Sequence, residues 1–271
     1  MMMNTLSLVD YHMHTPLCGH AQGRPEEYAR NAVAVGLKEI GFSDHMPLLA
    51  HQRDNISMAI DELPEYHRMI EAVRRQFAEQ LDVKVGIEAD FEPGYEAKTR
   101  NILTAYPYDY VIGSVHFLDD WGFDNPEEMT LWDQADVTAV YRKYYGLLRR
   151  SAASGLFNIM GHVDLVKKFG HRPAQNLEDE IQETARVFKD SGVAIEINTA
   201  GLRKPVQEMY PSLSALRIYC EAGVPVTFGS DAHLPGDVGR DFDKAVDWAK
   251  QAGYKEFVTF SGGKIRETRG L

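Results

Sequence analysis

The sequence predicts a parallel α/β fold, either a barrel or a doubly wound sheet, and two observations carry that prediction. Short runs rich in Val, Ile, Phe and Tyr recur along the chain, and stretches with apolar residues three and four apart fall between them. Most of the short runs are continuously apolar rather than alternating, as expected of strands covered on both faces. The repeated strand–helix order then calls for crossover connections and a parallel sheet.

The strand candidates are residues 7–10, 39–42, 83–87, 110–115, 157–160, 193–197 and 224–228, with a weaker eighth at 256–260. The first helix opens on Pro25-Glu26-Glu27, because proline suits the first helical position, and Gly36 stops it near Val35. The second, over 61–79, places Leu63, Tyr66, Ile70, Val73 and Phe77 on one face. Similar patterns span 136–153, 177–189, 212–222 and 241–252. Residues 117–135, with Asp119, Asp120, Trp121, Gly122 and Pro126, read as a long loop. Long loops in compact enzymes are often the walls of sites.

A chain of 271 residues can bury one substantial core, so a single domain over 1–271 is expected. The formal net charge of −11 argues against broad binding to nucleic acid or anionic membranes, which need a basic face, and leaves room for a local basic pocket. Two cysteines, Cys18 and Cys220, make a disulfide framework improbable and point to a reducing, cytoplasmic compartment. No basic segment followed by an apolar run opens the sequence, and no long unbroken apolar stretch follows, so neither a secretory signal nor a transmembrane helix is expected.

Residues of metal-binding type fall at the ends of these strands. His12 and His14 follow the first, Asp44 and His45 the second, and Glu88 ends the third. His116 ends the fourth, His162 the fifth and Asn198 the sixth, while Asp231 and His233 follow the seventh and His20 lies in the first loop. In an α/β barrel the C-terminal strand ends converge on one face, where catalytic groups sit. Residues two apart on a strand point the same way, so His12/His14 and Asp231/His233 each offer two ligands to one pocket.

Singly these signals are weak. With ten histidines in the chain, about 0.4 His-x-His pairs are expected by chance. Asp44 and Asp231 would serve equally as helix caps, and a lone His116 or His162 as a core histidine. Their coincidence at strand after strand is what counts. Imidazole and carboxylate suit Zn, Mn or Fe, and seven histidines with two carboxylates are too many ligands for one ion. Two or three metals fit if Glu88 bridges. His67 lies within a helical pattern and reads as a surface residue; His51 and His171 lie in loops near the mouth.

The motifs His12-Met13-His14, Ser43-Asp44-His45, Gly86-Ile87-Glu88, Gly113-Ser114-Val115-His116, Gly161-His162 and Ser230-Asp231-Ala232-His233 resemble the polymerase-and-histidinol-phosphatase (PHP) superfamily over roughly residues 8–235. Within it the chain looks like the histidinol-phosphate phosphatases of histidine biosynthesis, through Pro16-Leu17-Cys18-Gly19-His20-Ala21 and the run from Glu196 to Arg203. The resemblance implies a distorted TIM-like (β/α)7 barrel with a trinuclear site of divalent Zn, Mn or Fe. It assigns His12, His14, Glu88 and Asp231 to one metal, Glu88, His116 and His162 to a second, and His20, His45 and His233 to a third.

The reaction so implied is hydrolysis of L-histidinol phosphate by a metal-bridging hydroxide, with a small phosphorylated substrate as partner and a monomer or homodimer as the assembly. Arg203, following the sixth strand, is the leading candidate for a phosphate contact, with Arg240 a weaker one and Asn198 beside them. Asp231 or His233, or water on a metal, would serve the leaving group. Asp44, Asp90, Glu92 or Asp164 would attract the amine and imidazole of histidinol. Three other readings stay open at this point: a related phosphoesterase acting on nucleotides or other small phosphate esters, an amidohydrolase, and a metal-binding protein without turnover. The amidohydrolases commonly bridge their metals with a strand-end lysine, where this chain has Glu88.

Overall fold

The computed structural model describes residues 8–51, 53 and 55–271. The barrel strands are β1 (Val9–Asp10), β2 (Glu39–Phe42), β3 (Asp82–Asp90), β4 (Tyr110–Ser114), β7 (Ile159–Met160), β8 (Ala194–Asn198) and β9 (Val226–Gly229). They pair in the order β1-β2-β3-β4-β7-β8-β9, every pairing parallel. Backbone bonds beyond the strand ends close the ring. Tyr11 N–H donates to the Phe228 carbonyl at 3.0 Å, Ala232 N–H to that of His12 at 3.1 Å and His14 N–H to that of Ala232 at 2.9 Å.

The helices cover the outside: α1 (Pro25–Ala34), α2 (Leu63–Phe77), α3 (Glu96–Thr104), α4 (Val137–Ala153), α5 (Glu178–Ser191), α6 (Leu213–Glu221) and α7 (Phe242–Ala252). On α2 the buried residues are Leu63, Tyr66, Ile70, Val73 and Phe77, the face read from the sequence spacing. The barrel interior is filled rather than hollow. The Tyr110 ring lies across it, and its hydroxyl donates to the Tyr11 carbonyl at 2.6 Å. A Cβ at Gly41 or Gly86 would lie 2.1 or 2.3 Å from that tyrosine, so the ring needs glycine on β2 and on β3.

Seven of the strand expectations are borne out in the barrel, apart from Ser7, which lies outside the described residues. The eighth differs. β10 (Glu256–Ser261) joins no parallel sheet but pairs antiparallel with β11 (Lys264–Gly270). The turn Gly262-Gly263, with φ of 58° and 75°, is a two-residue hairpin connection, and a chain that reverses there cannot cross over. The hairpin packs across the N-terminal strand ends, where Phe260 meets Tyr11 and Arg269 bonds Glu39. α3 lacked a sequence signal because it buries only Thr99 and Leu103. The loop expected over 117–135 has its own structure: β5 (Phe117–Leu118) and β6 (Trp121–Gly122) form a small hairpin, and Pro126–Gln134 is 3-10 helix. No helix among the described residues is long and apolar enough to cross a membrane.

Candidate metal centre and its pocket

The C-terminal strand ends bring the predicted ligand residues together. His12 Nε2 faces Glu88 Oε2 at 3.2 Å, and His14 Nε2 faces Asp231 Oδ1 at the same distance. Glu88 also lies 3.0 Å from His45 Nδ1 and 2.9 Å from His162 Nε2, with His116 Nε2 at 3.8 Å. His20 and His233 bring their Nε2 atoms to 2.9 Å, and the His14 ring stacks on His233. Glu88 is therefore the hub of the cluster. His162 and Asp231 hold positive φ of 25° and 52°, conformations costly for non-glycine residues and typical of functional turns.

Four ligand-type atoms in this cluster are buried without a hydrogen-bond partner: His12 Nε2, His14 Nε2, Glu88 Oε2 and His162 Nδ1. A buried polar atom left so costs about 1–3 kcal/mol, which contact with a cation would remove. Within 4.8 Å of one another lie the ligand atoms of His12, His14 and Glu88, of His12, His162 and Asp231, and of His14, His45 and His233. Imidazole and carboxylate in such sets fit a divalent transition ion. The grouping differs in detail from the sequence-based assignment: His45 turns toward Glu88, and Cys18 comes within the same reach of His20 and His233.

Behind these residues stands a layer of carboxylates. Glu196 on β8 takes His12 Nδ1 at 2.7 Å and the His162 N–H at 2.9 Å. Asp44 takes His14 Nδ1 at 3.3 Å and the Thr15 hydroxyl, and Asp90 takes His116 Nδ1 at 3.0 Å. Each fixes a ring so that its other nitrogen faces the centre. A Cβ at Gly229 would fall 1.8 Å from Glu196 Oε1, so glycine there is what admits this carboxylate. Burial opposes protonation of His12, but Glu196, Glu88 and Asp231 outweigh it and hold its pKa well above the ordinary value. Burial likewise opposes ionisation of Asp231, and His12 and His14 hold it well below the usual range.

Above the centre opens a pocket of about 490 Å³. Its walls come from the segment after His45, from the 117–134 region, and from the turns after β7, β8 and β9. Glu92, just beyond β3, is buried and accepts backbone N–H groups from Leu49, Ala50 and His51 at 2.8, 2.7 and 3.3 Å. Further along the same segment, Asn55 brings its carbonyl to 3.1 Å from His20 Nδ1. Arg53 pairs with Glu128 and lies over the Phe117 ring. The turns after β7 and β8 carry three cations into it, Lys168, Arg203 and Lys204, beside five carboxylates, so one side of the pocket is cationic without the pocket being basic as a whole.

The substrate-contact candidates separate. Arg203 lines the pocket, donating to the Ser230 carbonyl at 2.6 Å. Asn198 is buried beneath it, donating to Glu196 at 2.9 Å and facing Asp231 at 3.5 Å. Asp44 is buried behind His14 rather than open to the pocket. Arg240 lies outside the lining, 54 % exposed and bound to Asp237, because the turn after β9 carries it outward. Asp90 and Glu92 are occupied as described, and Asp164 is buried against Lys167 and the Ser212 N–H. His67 is half-buried against Tyr106, and His171 stacks on Trp132. Sequence reading passed over Glu196, Asp124, Lys168 and Lys204. Glu196 had a signal: it precedes Asn198 by two on one strand and so shares its inward face.

The sequence model of the PHP domain matches residues 10–200, and that of the PHP-associated region matches 213–242. A probable histidinol-phosphatase of Deinococcus radiodurans is 45% identical over 259 residues, covering 96% of this chain and 98% of that protein. The histidinol-phosphatase of Bacillus subtilis is 29% identical, over 88% of this chain and 98% of its own. The crystal structure of histidinol phosphate phosphatase from Lactococcus lactis, complexed with zinc, L-histidinol and phosphate, superposes with a TM-score of 0.84 at 26% identity, covering 97% of this chain and all of that one.

Proposed function

The chain belongs to the PHP domain family, and on that premise we propose that it is a metal-dependent phosphomonoesterase that hydrolyses L-histidinol phosphate to L-histidinol and phosphate. The observation that carries this reading is the set of partnerless buried ligand atoms around Glu88, directly beneath a pocket with a cationic side. His12, His14, Glu88 and Asp231 would hold one ion, Glu88, His116 and His162 a second, and His20, His45 and His233 a third. Bound there, zinc, manganese or iron supplies Lewis acidity, which lowers the pKa of water and neutralises phosphoryl charge.

The protein's own groups do the rest. Glu196, Asp44 and Asp90 keep the histidine rings oriented. Lys168, Arg203 and Lys204 meet the phosphate dianion from one side, and the fixed Arg203 guanidinium costs little ordering entropy on binding. His12 and His14 are fully buried, but Asp231 and His233 are 16% and 28% exposed. That edge of the centre is where substrate arrives; against its burial Asp231 is held ionised by His12 and His14, and burial holds His233 neutral, so the leaving oxygen takes its proton from water there.

The test is an assay of purified protein loaded with Zn, Mn or Fe against L-histidinol phosphate and a panel of phosphomonoesters. A preference for histidinol phosphate is expected. Equal turnover across the panel would remove the substrate while leaving the phosphatase.

A further inference from the structure

The geometry points to Asp124 as the group that receives the substrate's ammonium ion and so sets the preference for an amino-alcohol phosphate. The inference rests on the substrate reading above. In that substrate the amine is separated from phosphorus by only the ester oxygen and two carbons. A phosphate held at the centre therefore puts the ammonium against the pocket wall nearby, and desolvating it there requires an anion.

Five carboxylates border the pocket: Glu88, Asp90, Asp124, Asp231 and Asp237. Glu88 and Asp231 are enclosed by the histidines of the centre. Asp90 spends both oxygens on His116 Nδ1, at 3.0 and 3.1 Å. Asp237 is bound to Arg240 at 2.7 Å and faces Arg203 at 3.7 Å. Glu88 Oε2 also lacks a hydrogen bond but is buried against His12 in the ligand cluster, and Asp237 Oδ2 is turned to Arg203; among the described residues Asp124 is the pocket carboxylate outside both arrangements that keeps an oxygen without a hydrogen bond. Its Oδ2 accepts from Lys168 Nζ at 2.9 Å, while Oδ1 takes no hydrogen bond. The side chain is 18% exposed, sheltered enough for a strong charge contact and open enough to be reached. It borders the same pocket as His116 and His162.

Lys168 and Asp124 thus set a cation and an anion side by side, the first to meet the incoming phosphate and the second its neighbouring amine. A substrate carrying both an anion and an adjacent cation satisfies this pair at once. A phosphate ester without the amine leaves Asp124 Oδ1 desolvated and unpaired, which selects against it.

The experiment compares kcat/KM for L-histidinol phosphate with kcat/KM for its des-amino analogue, 3-(imidazol-4-yl)propyl phosphate. Wild-type protein, Asp124→Asn, Asp124→Glu and Lys168→Met are measured, each with its metal content. The readout is the ratio of the two constants, so losses common to both substrates cancel. Wild type is expected to favour the amine-bearing substrate, Asp124→Asn to lose that preference by about tenfold or more, and Asp124→Glu to keep much of it. Lys168→Met is expected to lower both substrates together. A ratio unchanged in Asp124→Asn, or a wild type that ignores the amine while still hydrolysing histidinol phosphate, overturns the role of Asp124 and leaves the substrate reading standing. A wild type that does not turn over histidinol phosphate overturns the substrate reading itself.

Discussion

The floor and the wall of the pocket are built in opposite ways. The floor is made of strand ends, and its side chains are held by other side chains through buried, charged contacts such as His12 to Glu196 at 2.7 Å. The wall is made of connecting segments, and its shape is held largely through backbone, as where Glu92 gathers three successive N–H groups of residues 49–51. A floor of this kind fixes distances to fractions of an ångström, as metal ligation demands. A wall of this kind fixes a surface, as substrate recognition demands. The division predicts that floor variants fail through metal, whereas wall variants fail through substrate binding.

The largest effect should follow removal of the hub. Glu88→Ala leaves His45 and His162 facing no carboxylate and takes from His12 its contact at the centre. We expect loss of bound metal and a fall in kcat on the order of 10³-fold or more, read by elemental analysis beside steady-state kinetics. Full activity in this variant would undo the site. Next in size is Glu196→Gln, which keeps the shape of the side chain but not the charge that orients His12. Metal affinity should fall about 10–100-fold, measured by competition with a chelator, and kcat should recover at saturating metal. If activity fell while affinity held, Glu196 would belong to the chemistry rather than to the ligand sphere. On the wall, Glu92→Gln weakens the anchoring of residues 49–51. KM should rise about tenfold while metal content and kcat stay near wild type. Loss of metal from that variant would erase the distinction between wall and floor.

The same division explains what could be read from the sequence. The floor was legible because its residues recur at one structural position, the end of a strand, and that repetition exceeds chance. His12, Glu88, His162 and Asp231 converge in space as their strand positions require. The wall was not legible because its contacts join a side chain to distant backbone, and a backbone acceptor or donor has no residue type. Nothing in the sequence ties Glu92 to residue 50. Asp124 was hidden for a related reason: its value comes from the neighbours it lacks, which only the packed structure shows. β10 misled for want of a long-range test, since a short apolar run looks the same in a barrel as in a hairpin until the Gly262-Gly263 reversal is weighed.

The smallest effect lies outside both regions and checks that floor and wall variants are not simply reporting global stability. His67 on α2 stacks on Tyr106 at 4.2 Å, and its Nε2 is buried without a partner. Burial pushes its pKa down to about 4 from an ordinary 6.5. Between those values the unfolded chain binds a proton that the folded chain refuses, so stability is fully present at neutral pH and falls as pH drops from about 6.5 toward 4. The ring is partly open to water, which discounts the effect to about 1–2 kcal/mol. Acidic groups titrate in the same range, so the contribution is isolated by difference. Urea unfolding of wild type and His67→Phe at pH 7 and pH 4.5 should show the smaller pH dependence in the variant, with metal content and KM unmoved. Equal slopes in the two proteins would mean that the imidazole is protonated in the folded state without cost, and the fall at low pH would then belong to the carboxylates.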